Sequence, residues 1–267
     1  MRRTALAVDA HAHLYPTHRL EAWLDAALAN LARFDDGASV ERAVVLADTA
    51  RAEGYRRLAR AGALASVEIA RSRDPAPPIL RIDHRGERLH VLPGRQVVTR
   101  ERLEVLALGT AASLPDGLDL AGALAAAREA GALAVLPWSP GKWLGGRGRL
   151  VAAALERCSR DELLVADSAL RPRGWPLPRL LRRARRRGIS LIAGSDPLPA
   201  AGEEVHAGRY GVLGAVEGSP EEMRELVLAL LAGGGALAGS RCGPIEVLRR
   251  LARHRRERFA PAAPSGR

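Results

Sequence analysis

Two histidines near the start of the chain have the spacing of a metal-binding pair. Asp9, His11 and His13 alternate along a segment that directly follows the apolar residues 6–8. If those residues form a strand, alternation places the three side chains on one face at its carboxyl end. Two imidazoles at this spacing can bind one ion, and a nearby carboxylate can bind the ion or orient a ring. The alternative interpretation is a strand end followed by ordinary polar turn residues.

The elements that must position these side chains alternate between apolar runs and helical periodicities. The pattern predicts a helix over 17–34, a buried strand over 40–48, a helix over 51–61, and a strand–helix rhythm that resumes from residue 118. Between them the strands 79–83, 89–92, 96–99 and 103–108 follow one another, joined by turns at 85–86 and 93–94. This succession of strands predicts a β-meander inserted into the fold at about 79–108.

Polar residues stand where several of the predicted strands end, which favours a barrel of parallel strands wrapped by helices. Asp48, Asp167 and Asp196 occupy such positions, as Asp9 and His11 do. No G-x-G-x-x-G follows the first strand, so an open dinucleotide-binding sheet is disfavoured. We expect an α/β barrel in a single domain over 1–259, followed by a disordered tail over 260–267.

Composition limits the partners. The chain of 267 residues carries a net charge of +11, but nearly all of its cations are arginines in a background rich in alanine, glycine and leucine. This bias, with 3% aromatic residues, disfavours nucleic acid as a partner. The arginines of the predicted helix 177–187 are expected on its solvated outer face, and His84 and His90 on the surface. No apolar run suggests a signal peptide or a membrane span, so a cytoplasmic protein is predicted.

The loop after the strand 133–136 has the residues of an anion clamp. It contains Trp138, Lys142, Arg147 and Arg149 among several glycines, and Lys142 is the only lysine of the chain. Cations neutralise phosphate, and glycines allow close approach of the main chain. Arg171 is predicted either to add an anion contact or to pair with carboxylates at a strand end. A rigid surface loop is the alternative for the whole segment.

With these elements placed, the chain resembles the polymerase-and-histidinol-phosphatase (PHP) superfamily, and more distantly the amidohydrolase barrels. The resemblance is collinear over most of the chain and is carried by short motifs. They are residues 9–13 for the opening D-x-H-x-H, 45–49 for a strand ending in Asp-His, 93–97 for P-G-x-E-φ, 104–109 for H-φ-L-φ-φ-G, and 193–196 for the closing G-S-D. The resemblance implies a distorted (βα)7 barrel that hydrolyses phosphate esters with a cluster of metal ions.

The ligand set implied by the resemblance is incomplete. Thr49, Gln96, Glu104, Trp138 and Leu198 stand where the superfamily has its other histidines and its glutamate. What remains is His11, His13 and Asp196, with Asp9 as a supplement, and these residues could hold one divalent ion at most, zinc or manganese. Gln96, Glu104 and His206 stay open as further ligands, the alternative for His206 being an exposed loop position.

Two functional hypotheses follow from the resemblance. The first is a metal-dependent hydrolase of a phosphorylated or other anionic small molecule, with Asp196 or Glu104 as general base and the anion bound by Trp138, Lys142, Arg147, Arg149 and Arg171. The second is a barrel that has lost catalysis and binds anions or serves as a scaffold. The metal content of the protein distinguishes the two hypotheses.

Overall fold

The computed structural model describes residues 3–34, 40–50, 52–61, 63–64, 67–71 and 79–259, with the main chain alone for 61–71 and 257–259. Its twelve strands form one mixed sheet. The strands are β1 Arg3–Ala12, β2 Val40–Asp48, β3 Ala63–Leu64, β4 Val67–Arg71, β5 Leu80–His84, β6 Glu87–Val98, β7 Glu104–Leu108, β8 Leu133–Pro137, β9 Leu164–Ser168, β10 Leu191–Gly194, β11 Tyr210–Glu217 and β12 Ala236–Gly239. The predicted tail over 260–267 lies outside the described residues.

Seven α-helices lie within the described part of the chain. They are α1 Leu20–Leu31, α2 Gly54–Ala61, α3 Leu120–Glu129, α4 Gly145–Arg157, α5 Arg179–Arg186, α6 Met223–Gly233 and α7 Pro244–Phe259. None of the helices in the described ranges is long and apolar enough to cross a bilayer. The first helix is shorter than predicted and is followed by a 3₁₀ turn, Ala32–Phe34.

The strand order is β10-β9-β8-β7-β6-β2-β1-β11-β12, and β5, β4 and β3 branch from β6. Strands β1, β2 and β6 run parallel to one another, as do β8, β9 and β10. Strand β7 is antiparallel to both of its neighbours, so these two parallel groups point the same way. The carboxyl ends of the six strands therefore meet at one rim, which we call the mouth of the barrel.

The barrel is nearly closed, because β10 lies beside β1. The main-chain N–H of Asp196, just after β10, donates to the carbonyl of His11 in β1 at 2.9 Å. The apolar interior is built by strands from around the barrel and is covered by α6. It includes Leu6, Val8 and Ala10 of β1, whereas Ala7 and Ala12 belong to the outer layer that packs against α1.

The predicted (βα)7 barrel is wrong, since the sheet is mixed and rich in strands. Strand β7 follows β6 after five residues, and a strand that returns through so short a connection must be antiparallel. Strand β11 is also antiparallel to β1. Of the strands predicted as an insertion, β6 and β7 are therefore part of the wall, with β6 between β2 and β7, whereas β5 branches from β6.

The turn predicted at 93–94 is also wrong, because both residues lie inside the single long strand β6. Pro93 pairs with Leu46 of β2 and its carbonyl accepts from Gly109 N at 2.9 Å. Gly94 faces β2 so closely that a Cβ there would lie 3.1 Å from Val45 Cγ1. Gly94 therefore does not form a turn but allows β6 and β2 to approach closely, which is a second reason for glycine to occur within a sheet.

Candidate metal centre

The two histidines of the opening motif meet at the mouth of the barrel. Their Nε2 atoms are 3.1 Å apart, and both side chains are buried, with 2% exposure for His11 and 3% for His13. Asp196, from the loop after β10, places Oδ1 at 3.6 Å from His13 Nε2 and at 3.9 Å from His11 Nε2. One ligand atom from each residue lies within 4.8 Å of the others. Among the described residues, this cluster is a possible metal-binding triad.

The main chain around His13 fixes its ring. Nδ1 lies 2.8 Å from the carbonyl of Ala47, so this nitrogen carries the proton and Nε2 is left as a lone pair facing the cluster. Burial, followed by the charge of His11, lowers the pKa of His13 to about 3. Trp23 Nε1–H donates to the His13 carbonyl at 3.0 Å. His13 is therefore held as a neutral imidazole, which is the form that binds metal.

Asp196 reaches the cluster from an unusual backbone conformation. Its φ is 49°, in the left-handed region that aspartate tolerates better than most residues. Burial opposes its charged form, but the neighbouring His11 and His13, together with Lys142 and Arg250, outweigh burial and hold the pKa of Asp196 below its ordinary value. Ser168 Oγ donates to Oδ2 at 3.4 Å, so Oδ1 faces the imidazoles and Oδ2 faces β9.

Asp9 is not part of the cluster. Its fully buried carboxylate accepts from the main-chain N–H groups of His11 at 3.2 Å, Ser195 at 2.9 Å and Gly208 at 2.9 Å, and from the Ser195 hydroxyl. Burial raises the pKa of this carboxyl. Asp9 in β1 therefore bonds to both ends of the loop 195–208. Its role is to position Asp196 and not to act as a metal ligand beside it.

The pairing of β1 explains why Asp9 and the histidines separate. The register of β1 against β2 shifts between Asp9 and Ala12. Such an irregularity breaks the alternation of faces, so residues before and after it no longer share one. The strict alternation assumed from the sequence therefore fails between Asp9 and His11.

A chain of polar contacts leads from the cluster to a cleft. Gln96 Oε1 lies 3.0 Å from His11 Nε2, and Gln96 Nε2 donates to Glu104 Oε1 at 3.4 Å. Lys142 Nζ forms an ion pair with the same carboxylate, and Ser139 Oγ donates to its other oxygen at 3.4 Å. Glu104, Lys142 and Arg147 line a cleft of about 740 Å³. Gln96 is thus the link between the cluster and Glu104.

The remaining predicted anion-binding residues separate into two groups. Lys142 and Arg147 line the cleft beside Glu104, while Trp138, Arg149 and Arg171 line a second groove of about 980 Å³. Arg171 is buried and its guanidinium holds both oxygens of Asp167, at 2.8 and 2.6 Å. Of the two roles predicted for Arg171, the structure shows the pairing with a carboxylate.

Five of the seven histidines lie outside the cluster, among them His84, His90 and His206. His84 and His90, predicted on the surface, are buried and pair with Asp25 at 2.8 Å and Glu41 at 3.0 Å. His206, which the sequence left open as a ligand, contacts Arg209 NH1 at 3.1 Å instead, and burial lowers its pKa to about 4. Sequence reasoning also missed Ser168 and the Ala47 carbonyl, since only the folded chain brings β9 and β2 to the histidines.

No protein-family model matches the sequence, and no curated protein matches it. Among solved structures, the chain is similar to the crystal structure of PsfC from Pseudomonas syringae PB-5123, with a TM-score of 0.51 and 14% sequence identity over 97% of this chain and 98% of that chain. At this identity the likeness concerns the fold alone.

Proposed function

We propose that the protein is a metal-dependent hydrolase of the kind found in the PHP superfamily, with one divalent ion held by His11, His13 and Asp196. The observation that carries the proposal is the convergence of three ligand atoms within 4.8 Å at the mouth of the barrel. Two nitrogens and one carboxylate oxygen suit zinc or manganese. The proton on His13 Nδ1, held by the Ala47 carbonyl, leaves Nε2 ready to bind.

An ion held by these three residues would lower the pKa of a coordinated water and so supply a nucleophile near neutral pH. Asp196 serves as a ligand in this proposal, so Glu104 is the general base. Gln96 links Glu104 to the cluster, and Glu104 forms an ion pair with Lys142. The anionic part of the substrate lies in the cleft lined by Lys142 and Arg147, whose cations neutralise a phosphate or carboxylate.

Elemental analysis of protein purified without chelator tests the metal centre. We expect about one equivalent of transition metal in the parent and less than about a tenth in His11→Ala/His13→Ala, because deleting two of three ligands removes most of the binding free energy. His206→Ala is the matched control, since it removes a histidine outside the cluster and should keep the metal. A parent that contains no metal and takes up none on titration with zinc or manganese would refute the hydrolase.

The alternative is a barrel that binds anions without catalysis, and two contacts of His11 favour it. His11 Nε2 already has two polar neighbours, His13 at 3.1 Å and Gln96 at 3.0 Å, so the imidazoles are satisfied within the chain. A metal-free parent that still binds p-nitrophenyl phosphate would support this alternative. In either case, Lys142→Ala should weaken that binding more than Arg183→Ala, because only Lys142 lines the cleft beside Glu104.

A further inference from the structure

The second groove has a lining that the metal centre does not use. It lies between the loop 138–149, the segment 171–178 and helix α5, with a volume of about 980 Å³. We call it the arginine groove. Six arginines line it, and none of the described residues that line it is acidic: Arg149, Arg171, Arg179, Arg182, Arg183 and Arg186.

Most of this charge is not neutralised by the protein. Arg171 is paired with Asp167 and Arg183 with Glu156. The other four arginines are exposed and form no ion pair with any residue in the described ranges. The groove therefore presents four guanidinium groups without an ion-pair partner among the described residues, and these favour an anionic ligand strongly.

The spacing of these cations indicates a ligand with several phosphates. Arg179, Arg182 and Arg186 stand at i, i+3 and i+7, so they share one face of α5. At a rise of 1.5 Å per residue, the row from Arg179 to Arg186 extends about 10 Å. One phosphate group cannot span that distance, whereas consecutive phosphates of a nucleic acid strand can contact each cation in turn.

The groove also concentrates the few aromatic residues of the chain. Three of the four tryptophans line it, namely Trp138, Trp143 and Trp175. Trp175 is 58% exposed, an uncommon state for so large an apolar side chain. An exposed indole beside a row of arginines is the arrangement that stacks on bases while cations follow the backbone. The low aromatic content of the whole chain therefore does not argue against nucleic acid at this one site.

We propose that the arginine groove binds a short segment of single-stranded nucleic acid, with its phosphates on the exposed arginines of α5 and a base stacked on Trp175. An acidic peptide or inorganic polyphosphate would satisfy the charges but would leave the indole without a partner. The proposal does not rest on the metal centre, since none of its residues belongs to the cluster or to the chain of contacts with Glu104.

Fluorescence anisotropy of a labelled single-stranded oligonucleotide, measured in chelator over a series of salt concentrations, tests the cations. For single strands each phosphate contact contributes a slope of about −0.7 in log K against log salt, so Arg179→Gln/Arg182→Gln/Arg186→Gln should reduce the slope by about 2. The matched control is Arg249→Gln/Arg255→Gln/Arg256→Gln, which removes the same charge from exposed positions of α7. Equal losses in the two variants would reduce the effect to net charge and overturn the proposal.

Substitution of Trp175 tests the stacking. Alanine replacement of a stacking residue weakens affinity by about 5- to 150-fold, so Trp175→Ala should weaken oligonucleotide binding by at least about fivefold. Trp175→Tyr keeps an aromatic ring and should retain most of the affinity of the parent. Neither variant should change binding of inorganic polyphosphate, which has no bases. Unchanged oligonucleotide binding in Trp175→Ala would overturn the proposal. So would competition by inorganic polyphosphate or polyglutamate that equals the competition by an unlabelled oligonucleotide of the same charge, because the groove would then be a general anion surface. Chelator in the assay keeps the result separate from the proposed hydrolase.

Discussion

Replacing Gly194 with alanine should damage the seam that closes the barrel. Gly194 is the last residue of β10 and packs against β1 beside the metal-binding cluster. A Cβ at this position would lie 2.4 Å from His11 Cβ, 2.6 Å from His11 N and 2.7 Å from His11 Cα. Two of these atoms belong to the main chain of β1, so no side-chain rotation relieves the contact.

The cost of the substitution can be worked out from these distances. Carbon atoms pack at about 3.5–4.0 Å, so β10 and β1 must separate locally by about 1 Å. Overpacking of this kind costs about 1–3 kcal/mol. The separation also weakens the bond from Asp196 N to the His11 carbonyl, worth about 0.5–1.5 kcal/mol. Together they predict a loss of about 1.5–4.5 kcal/mol in the free energy of unfolding.

Urea denaturation measures this loss, and zinc titration measures its effect on the cluster. Because His11 and Asp196 lie on the two sides of the seam, Gly194→Ala should weaken metal binding by at least about tenfold. Gly233→Ala is the control, since nothing lies within 4 Å of a Cβ added at this last residue of α6, and the variant should stay within about 0.5 kcal/mol of the parent. A Gly194→Ala protein within about 0.5 kcal/mol of the parent would refute the reasoning, because that is the scatter of ordinary surface substitutions.

The remaining predictions concern buried charge. Arg250→Met should lower the free energy of unfolding, measured in urea, by about 3–5 kcal/mol, because it leaves the buried Glu203 without the guanidinium that contacts it at 2.9 Å. The double variant Arg250→Met/Glu203→Leu should recover at least half of that loss. Equal losses in the single and double variants would contradict the prediction. Burial raises the pKa of Asp48 from 3.8 to about 6. Since the folded chain then binds that proton more tightly than the unfolded chain, the contribution of Asp48 lowers stability as pH rises from about 4 to 6, by up to about 3 kcal/mol. Asp48→Asn should remove this fall when urea curves are compared at about pH 4 and pH 7, and an unchanged pH dependence would contradict the prediction.

The sequence determined which residues could meet at the cluster. His11 lies at the carboxyl end of β1, His13 follows that strand and Asp196 follows β10. Strands β1 and β10 run in the same direction, and local patterns place all three residues at a carboxyl strand end. Strands of this kind present their ends at one rim, so the sequence could predict the histidine–aspartate group without knowing the order of the strands. The position of the loop with Lys142 and Arg147 at the same rim could be predicted for the same reason, because the loop directly follows β8.

The tertiary structure decided the wall and the roles around the cluster. Local patterns show that 79–108 forms strands, but only their pairing puts β6 between β2 and β7, and this pairing changes the predicted barrel into a mixed sheet. The register shift in β1 separates Asp9 from His11, and the fold then surrounds Asp9 with N–H donors from residues about two hundred positions away. Register, closure and burial depend on pairings between remote segments, so alternation along one segment cannot predict them.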